Sequence, residues 1–232
     1  MSERELFVKI CGLTTVDDAL LAVALGADAV AFNFVPGSKR QLAPVRARDI
    51  AARIPAETLT LGVFRNEARE RVVDIAHSSA LGGVQLHGDE SVEDTAWIAE
   101  RVPYVIKAMA AGSAQAARAA EFPVDAVLVD APTPGSGEVF DWSLADTMPI
   151  GLRMILAGGL DPDNVADAVA AVRPWGVDVA SGVESAPGRK DPSRMRRFIQ
   201  NAKAAGELLN EQESHPTSTD TGGEAMYDWR DE

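Results

Sequence analysis

Leu6-Phe7-Val8-Lys9-Ile10-Cys11-Gly12-Leu13-Thr14-Thr15-Val16 reads as a complete strand-to-helix unit. An apolar, β-branched run ends at a glycine, where the backbone can turn and pass close to other groups. A helix cap follows at Thr14 or Thr15, and then Val16, Leu20 and Val23 fall at helical spacing. Side chains alternate along a strand, so Lys9 and Cys11 share one face. A cation two residues from the chain's single cysteine, at the carboxyl end of a strand, marks a candidate site; a lone cysteine is otherwise a small buried hydrophobe.

The same unit recurs along the chain. Strands are predicted at 6–11, 28–34, 58–64, 82–87, 103–108, 124–130, 152–157 and 175–180. Helices are predicted at 15–25, 44–53, 67–79, 91–101, 113–121, a short segment at 142–147, 163–172 and 192–205. Strict alternation argues for a parallel sheet with helices outside, and eight units are the number that closes a (β/α)8 TIM barrel, an α/β fold. A doubly wound open sheet is the alternative, although it usually has fewer strands. Residues 1–206 are read as this single barrel. Residues 207–232 are read as a disordered acidic tail, because they hold eight acids against Arg230 and a stretch of Ser, Thr, Gly and Pro without periodicity. Within the tail, Met226-Tyr227-Asp228-Trp229 is a segment that can dock on a partner or on the barrel.

An apolar fraction of 46% suffices for a sizeable core. No run approaches membrane-spanning length, and Met1-Ser2-Glu3-Arg4-Glu5 lacks a signal peptide's apolar stretch. A single cysteine forms no internal disulfide, which fits a cytoplasmic protein. The net charge of −13, with no basic patch, argues against nucleic acid as a partner.

In such barrels the active site lies at the carboxyl ends of the strands. Those ends carry Lys9 and Cys11, Asn33, Arg65-Asn66, Gln85 and His87, Lys107, Asp130 and Asp178, with the loop Pro36-Gly37-Ser38-Lys39-Arg40 after strand two. Polar groups in strands of Val, Leu, Ile and Ala need paired or solvated positions, and their convergence on one end suggests a site. Strand seven ends in Leu156-Ala157-Gly158-Gly159-Leu160 and strand eight in Ala180-Ser181-Gly182-Val183-Glu184. Glycine lets backbone N–H groups approach an anion, and the loops after strands seven and eight often form a barrel's phosphate site. Gly158, Gly159, Ser181 and Gly182 are therefore the predicted phosphate-binding residues.

Lys9-Ile10-Cys11-Gly12, Gln85-Leu86-His87-Gly88-Asp89-Glu90, Ile106-Lys107-Ala108, Leu128-Val129-Asp130, Gly135-Ser136-Gly137 leading to Phe140-Asp141-Trp142, the Gly-Gly loop and Asp178-Val179-Ala180-Ser181-Gly182-Val183-Glu184 occur in an order that resembles phosphoribosylanthranilate isomerase, a barrel enzyme of tryptophan biosynthesis. The resemblance covers about residues 6 to 204. It implies an Amadori rearrangement of N-(5-phosphoribosyl)anthranilate without metal or organic cofactor, on a monomer or homodimer whose only partner is a small phosphosugar. It implies Cys11 as general base, Asp130 as general acid, Arg40 for the anthranilate carboxylate with Lys39 as competitor, and His87 and Asp178 lining the site. Lys9 would help the thiol ionise. Gly135-Ser136-Gly137 would form a mobile loop over substrate. The chain departs from the family pattern at Ala31, Ala131-Pro132 and Glu138.

Two rivals are weighed. A histidine-pathway aminoaldose isomerase is expected to place an aspartate where Cys11 stands, and indole-glycerol phosphate synthase needs a lysine-carboxylate set that Lys107 alone does not supply. A phosphosugar-binding barrel without chemistry would need neither Cys11 nor Asp130.

Overall fold

The structure is a computed structural model that describes residues 5–130 and 151–214. The predicted helix at 142–147, the Gly135-Ser136-Gly137 loop and the tail from 215 onward lie outside the described residues. Eight parallel strands close a barrel in chain order: β1 (Phe7–Cys11), β2 (Ala29–Asn33), β3 (Leu59–Phe64), β4 (Gly83–Leu86), β5 (Val105–Ala110), β6 (Ala126–Asp130), β7 (Met154–Leu156) and β8 (Gly176–Val179). The open sheet is thereby excluded. The seam between β8 and β1 closes with Lys9 opposite Asp178 and Ile10 opposite Val179.

Outside the barrel lie α1 (Val16–Ala24), α2 (Pro44–Ala51), α3 (Arg69–Ser78), α4 (Val92–Ala99), α5 (Ala114–Ala117), α6 (Val165–Val172) and α7 (Pro192–Ser214). Thr15, not Thr14, caps α1: its side chain accepts from the Asp18 amide at 3.1 Å, an arrangement worth about 1 kcal/mol. Two apolar layers result. Residues such as Val8, Ile10, Phe32 and Leu86 pack between sheet and helices, while Cys11, Ala31, Leu61, Ile106 and Leu128 fill the barrel interior. Both faces of every strand are therefore buried, as a parallel sheet covered by helices requires. Among the described residues no helix is long and apolar enough to cross a membrane.

Three expectations change. The segment predicted as one helix at 113–121 is a single turn of α5 followed by a 3₁₀ turn, Ala119–Glu121. A two-stranded hairpin, β9 (Glu184–Ala186) with β10 (Arg189–Lys190), follows β8 and was not predicted. Helix α7 runs to Ser214, so 207–214 are helix rather than disordered tail. Gly206 reads as a stop signal, yet here it lets the helix lie against β1's lead-in, where a Cβ would come within 2.6 Å of Leu6 Cβ. Beyond it, Leu209 packs on the outer core and extends the apolar stripe by one turn.

Candidate active site

Odd positions of β1 point inward, so Phe7, Lys9 and Cys11 stack toward the carboxyl mouth of the barrel. The mouth encloses a cavity of about 490 Å3. Its wall takes Cys11 from β1, Asn33 from β2, Gln85 and His87 from β4 and its end, Asp130 from β6 and Asp178 from β8. Arg65 after β3 and Arg40 from the loop after β2 complete the charged lining, and Lys39 is absent from it. Gly158, Gly159 and Ser181 lie on the same wall. Gly182 sits behind it, against the Leu160 carbonyl and Asp161.

Lys107 is a correction. It is fully buried, but with Val105 and Met109 on the outer face of β5, while Ile106 and Ala108 face the barrel axis. Its ammonium donates to the carbonyls of Gly88 (2.7 Å) and Ala108 (3.1 Å) and to Glu90 Oε2 (3.0 Å). Glu90 in turn accepts from the amides of Asn66 and Gly88, both at 2.9 Å. This pair fastens the loop after β4 and takes no part in lining the cavity. Burial, working against Glu90, pulls the Lys107 ammonium down.

Lys9 is also fully buried, and here the predicted face is observed. Its Nζ donates to Asp178 Oδ1 at 2.8 Å, across the closing seam. Burial alone would lower the Lys9 ammonium, but Asp178 and Cys11 outweigh it and hold the group up, so Lys9 is a cation. Its effect on the thiol differs from expectation. Burial pushes the Cys11 thiol up; Lys9 and Lys190 pull it down, and Asp178 adds to the upward push. The net direction is up, so the thiol holds its proton in the open barrel.

Across the cavity, His87 Nε2 lies 3.4 Å from Asp130 Oδ2, and the Gln85 amide nitrogen lies 2.8 Å from His87 Nδ1. Gln85 thus fixes the plane of the imidazole that faces Asp130; which atom donates follows the tautomer. The Gly-Gly turn after β7 has left-handed backbone at both positions and is braced by Asn164, whose Nδ2 donates to the Gly159 carbonyl at 2.9 Å.

Arg40 crosses the end of β1 because Gly12 has no side chain: a Cβ there would lie 2.4 Å from Arg40 Cδ. Its guanidinium is forked onto Glu184, Nε to Oε1 at 2.7 Å and Nη2 to Oε2 at 2.8 Å. Glu184 and the fully buried Lys190 were missed as site supports. Lys190 had no local signal, since a lysine in a short polar hairpin reads as surface. Among the described residues no group of three or more His, Cys, Asp or Glu side chains is placed to hold a metal ion.

Fold and site together define the class, a (β/α)8-barrel enzyme with its polar groups gathered at the carboxyl mouth. Residues 8–201 match the family model described as N-(5'phosphoribosyl)anthranilate (PRA) isomerase. The chain is 48% identical over 205 residues to the N-(5'-phosphoribosyl)anthranilate isomerase of Desulforudis audaxviator, covering 85% of this chain and 98% of that one. Among solved structures, a phosphoribosyl anthranilate isomerase in complex with reduced 1-(o-carboxyphenylamino)-1-deoxyribulose 5-phosphate superposes with a TM-score of 0.76 at 42% identity, over 86% of this chain and 99% of that one. Monomers generated from the dimeric enzyme of Thermotoga maritima give 0.74 at 42% identity, over 86% and 99%. The chain belongs to the N-(5'-phosphoribosyl)anthranilate isomerase family.

Proposed function

We propose that the chain isomerises N-(5-phosphoribosyl)anthranilate to 1-(2-carboxyphenylamino)-1-deoxyribulose 5-phosphate in tryptophan biosynthesis, with Asp130 as acid and Cys11 as base. The observation that carries the assignment of roles is the placement of a thiol and a carboxyl on one cavity, at the ends of β1 and β6, separated by the width of the barrel mouth.

Asp130 gives its proton to the furanose oxygen, the C1–O bond breaks, and the nitrogen lone pair forms the Schiff base. Cys11, reacting from the fraction that has lost its thiol proton to solvent, then takes the C2 proton, giving an enolamine. Gain of a proton at C1 and loss of one from O2 complete the ketone, and the two protons balance. Burial opposes thiolate formation, and Lys9 is the cation that favours it. The phosphate would rest on the amides around Gly158, Gly159, Ser181 and Gly182, and the anthranilate carboxylate on Arg40. His87 and Asp178 position the groups beside them, Asp130 and Lys9.

Turnover of freshly made phosphoribosylanthranilate, followed by loss of anthranilate-type fluorescence, tests this. Wild type is expected to turn over, with Cys11→Ala and Asp130→Asn folded and slowed at least 100-fold. An untroubled Cys11→Ala would discard the base, and an untroubled Asp130→Asn the acid. A folded, inactive wild type would discard the reaction.

A further inference from the structure

The Arg40 guanidinium does not hang free at the cavity edge; it is one end of a buried ionic chain. Both Glu184 oxygens accept from Arg40, and Glu184 Oε1 also accepts from Lys190 Nζ at 3.2 Å. Lys190 spends its other two donors on the carbonyls of Cys11 (2.7 Å) and Ala180 (2.8 Å). Three donor bonds from one nitrogen are the pattern of an ammonium, so the group is charged. The side chains of Glu184 and Lys190 are 5% and 0% exposed, and neither lines the cavity.

Two consequences follow from counting donors and charges. Arg40 has five N–H donors, of which two go to Glu184. Among the described residues the guanidinium meets no other acceptor, which leaves the Nη1–Nη2 edge available, and that edge matches a second carboxylate bidentately. An Arg–Glu pair alone would be neutral and indifferent to an anion. Lys190 makes the cluster carry one positive charge, so an incoming carboxylate is attracted. Because Glu184 already fixes the long Arg40 side chain, binding does not have to order it.

We propose that Glu184 and Lys190 are positioning residues that set the selectivity for an aromatic amine bearing a carboxylate. Glu184 aims Arg40 at that carboxylate, and Lys190 ties the receptor to the Cys11 carbonyl, holding receptor and thiol at a fixed spacing. The proposal rests on the reading of Arg40 given above.

The test compares two probes, the phosphoribosyl adducts of anthranilate and of aniline, which differ only in the carboxylate. Glu184→Gln is expected to lower kcat/KM for the anthranilate adduct about tenfold, mainly through KM, and to leave the aniline adduct within twofold. An equal loss on both adducts would mean a merely structural role and overturn the proposal, as would no loss on either. If Glu184→Gln does not fold, Arg40→Lys gives the same readout, because a lysine cannot span Glu184 and substrate at once. Loss of selectivity is then expected, and retained selectivity overturns the bracket. Arg40→Ala separates the two layers of the argument: if it affects both adducts equally, the reading of Arg40 itself fails, whatever Glu184 does.

Discussion

Replacing Lys107 with methionine is expected to weaken the fold heavily and the catalyst hardly at all. Lys107 is fully buried and Glu90 almost so, their side chains 0% and 5% exposed, so solvent does not screen the pair. Lys107→Met keeps the stem's packing but strips the donor from the carbonyls of Leu86, Gly88 and Ala108 and leaves Glu90 without its Lys107 cation. Breaking a buried pair by removing one partner costs about 3–5 kcal/mol. For a domain of this size each kcal/mol moves the melting midpoint about 2–4 °C, so a drop of roughly 6–20 °C is expected. Adding Glu90→Gln removes the stranded charge and should restore part of the loss. The assay is urea and thermal unfolding followed by tryptophan fluorescence, beside kcat/KM at 20 °C on the folded variant. Turnover should stay within about threefold of wild type, because Lys107 lies on the far side of its strand from the cavity. A variant that melts like wild type would refute the energetic argument. A well-folded variant that has lost its turnover would refute the placement.

Other outcomes test the site. Iodoacetamide should alkylate Cys11 with a midpoint above the free-thiol value of about 8.5, since burial holds the proton on; Lys9→Met should move that midpoint further up and Asp178→Asn down. The sign carries to stability: the folded chain binds this proton more tightly than the unfolded chain, so the contribution is present below the free-thiol range and lost as pH rises through the folded thiol's own. Urea midpoints of wild type and Cys11→Ala should therefore diverge only in alkali. Gly12→Ala meets Arg40 and must hold a φ of +72°, so a loss of about 1–2 kcal/mol and a raised KM are expected in the same assays. A chain ended at 206 should melt below one ended at 214, by about 1 kcal/mol, because it lacks Leu209.

The barrel was legible because short apolar strand runs alternate with amphipathic helical stretches, and that pattern is local. The glycine-rich turns and the polar strand ends were legible for the same reason, and the structure brings Cys11, Arg40, His87, Asp130 and Asp178 to one cavity. What could not be read is which side of a doubly buried strand faces the axis. Lys107 sits among apolar neighbours in both directions, so alternation alone gives no sign of its face. Charge balance was equally hidden. Lys9 beside Cys11 suggests an eased thiol, but its partner Asp178 is 169 residues away and desolvation has no sequence signature. Lys190 shows the limit most plainly, since its three acceptors come from the ends of β1 and β8 and the start of β9.

The Cys11 carbonyl and the Lys190 ammonium that holds it are 179 positions apart. On a ribosome adding about 5–20 residues per second, the thiol is made roughly 10–35 s before its anchor. Asp178, which takes the Lys9 ammonium, comes almost as late. During synthesis the chain's only cysteine is thus an ordinary exposed thiol with an ordinary acidity. Its shielding arrives only once residues 176–190 have been made, when β8 and the hairpin lock onto β1. Oxidants and alkylating agents accordingly meet two different cysteines: a reactive one on the nascent chain, and a guarded one after the seam has shut.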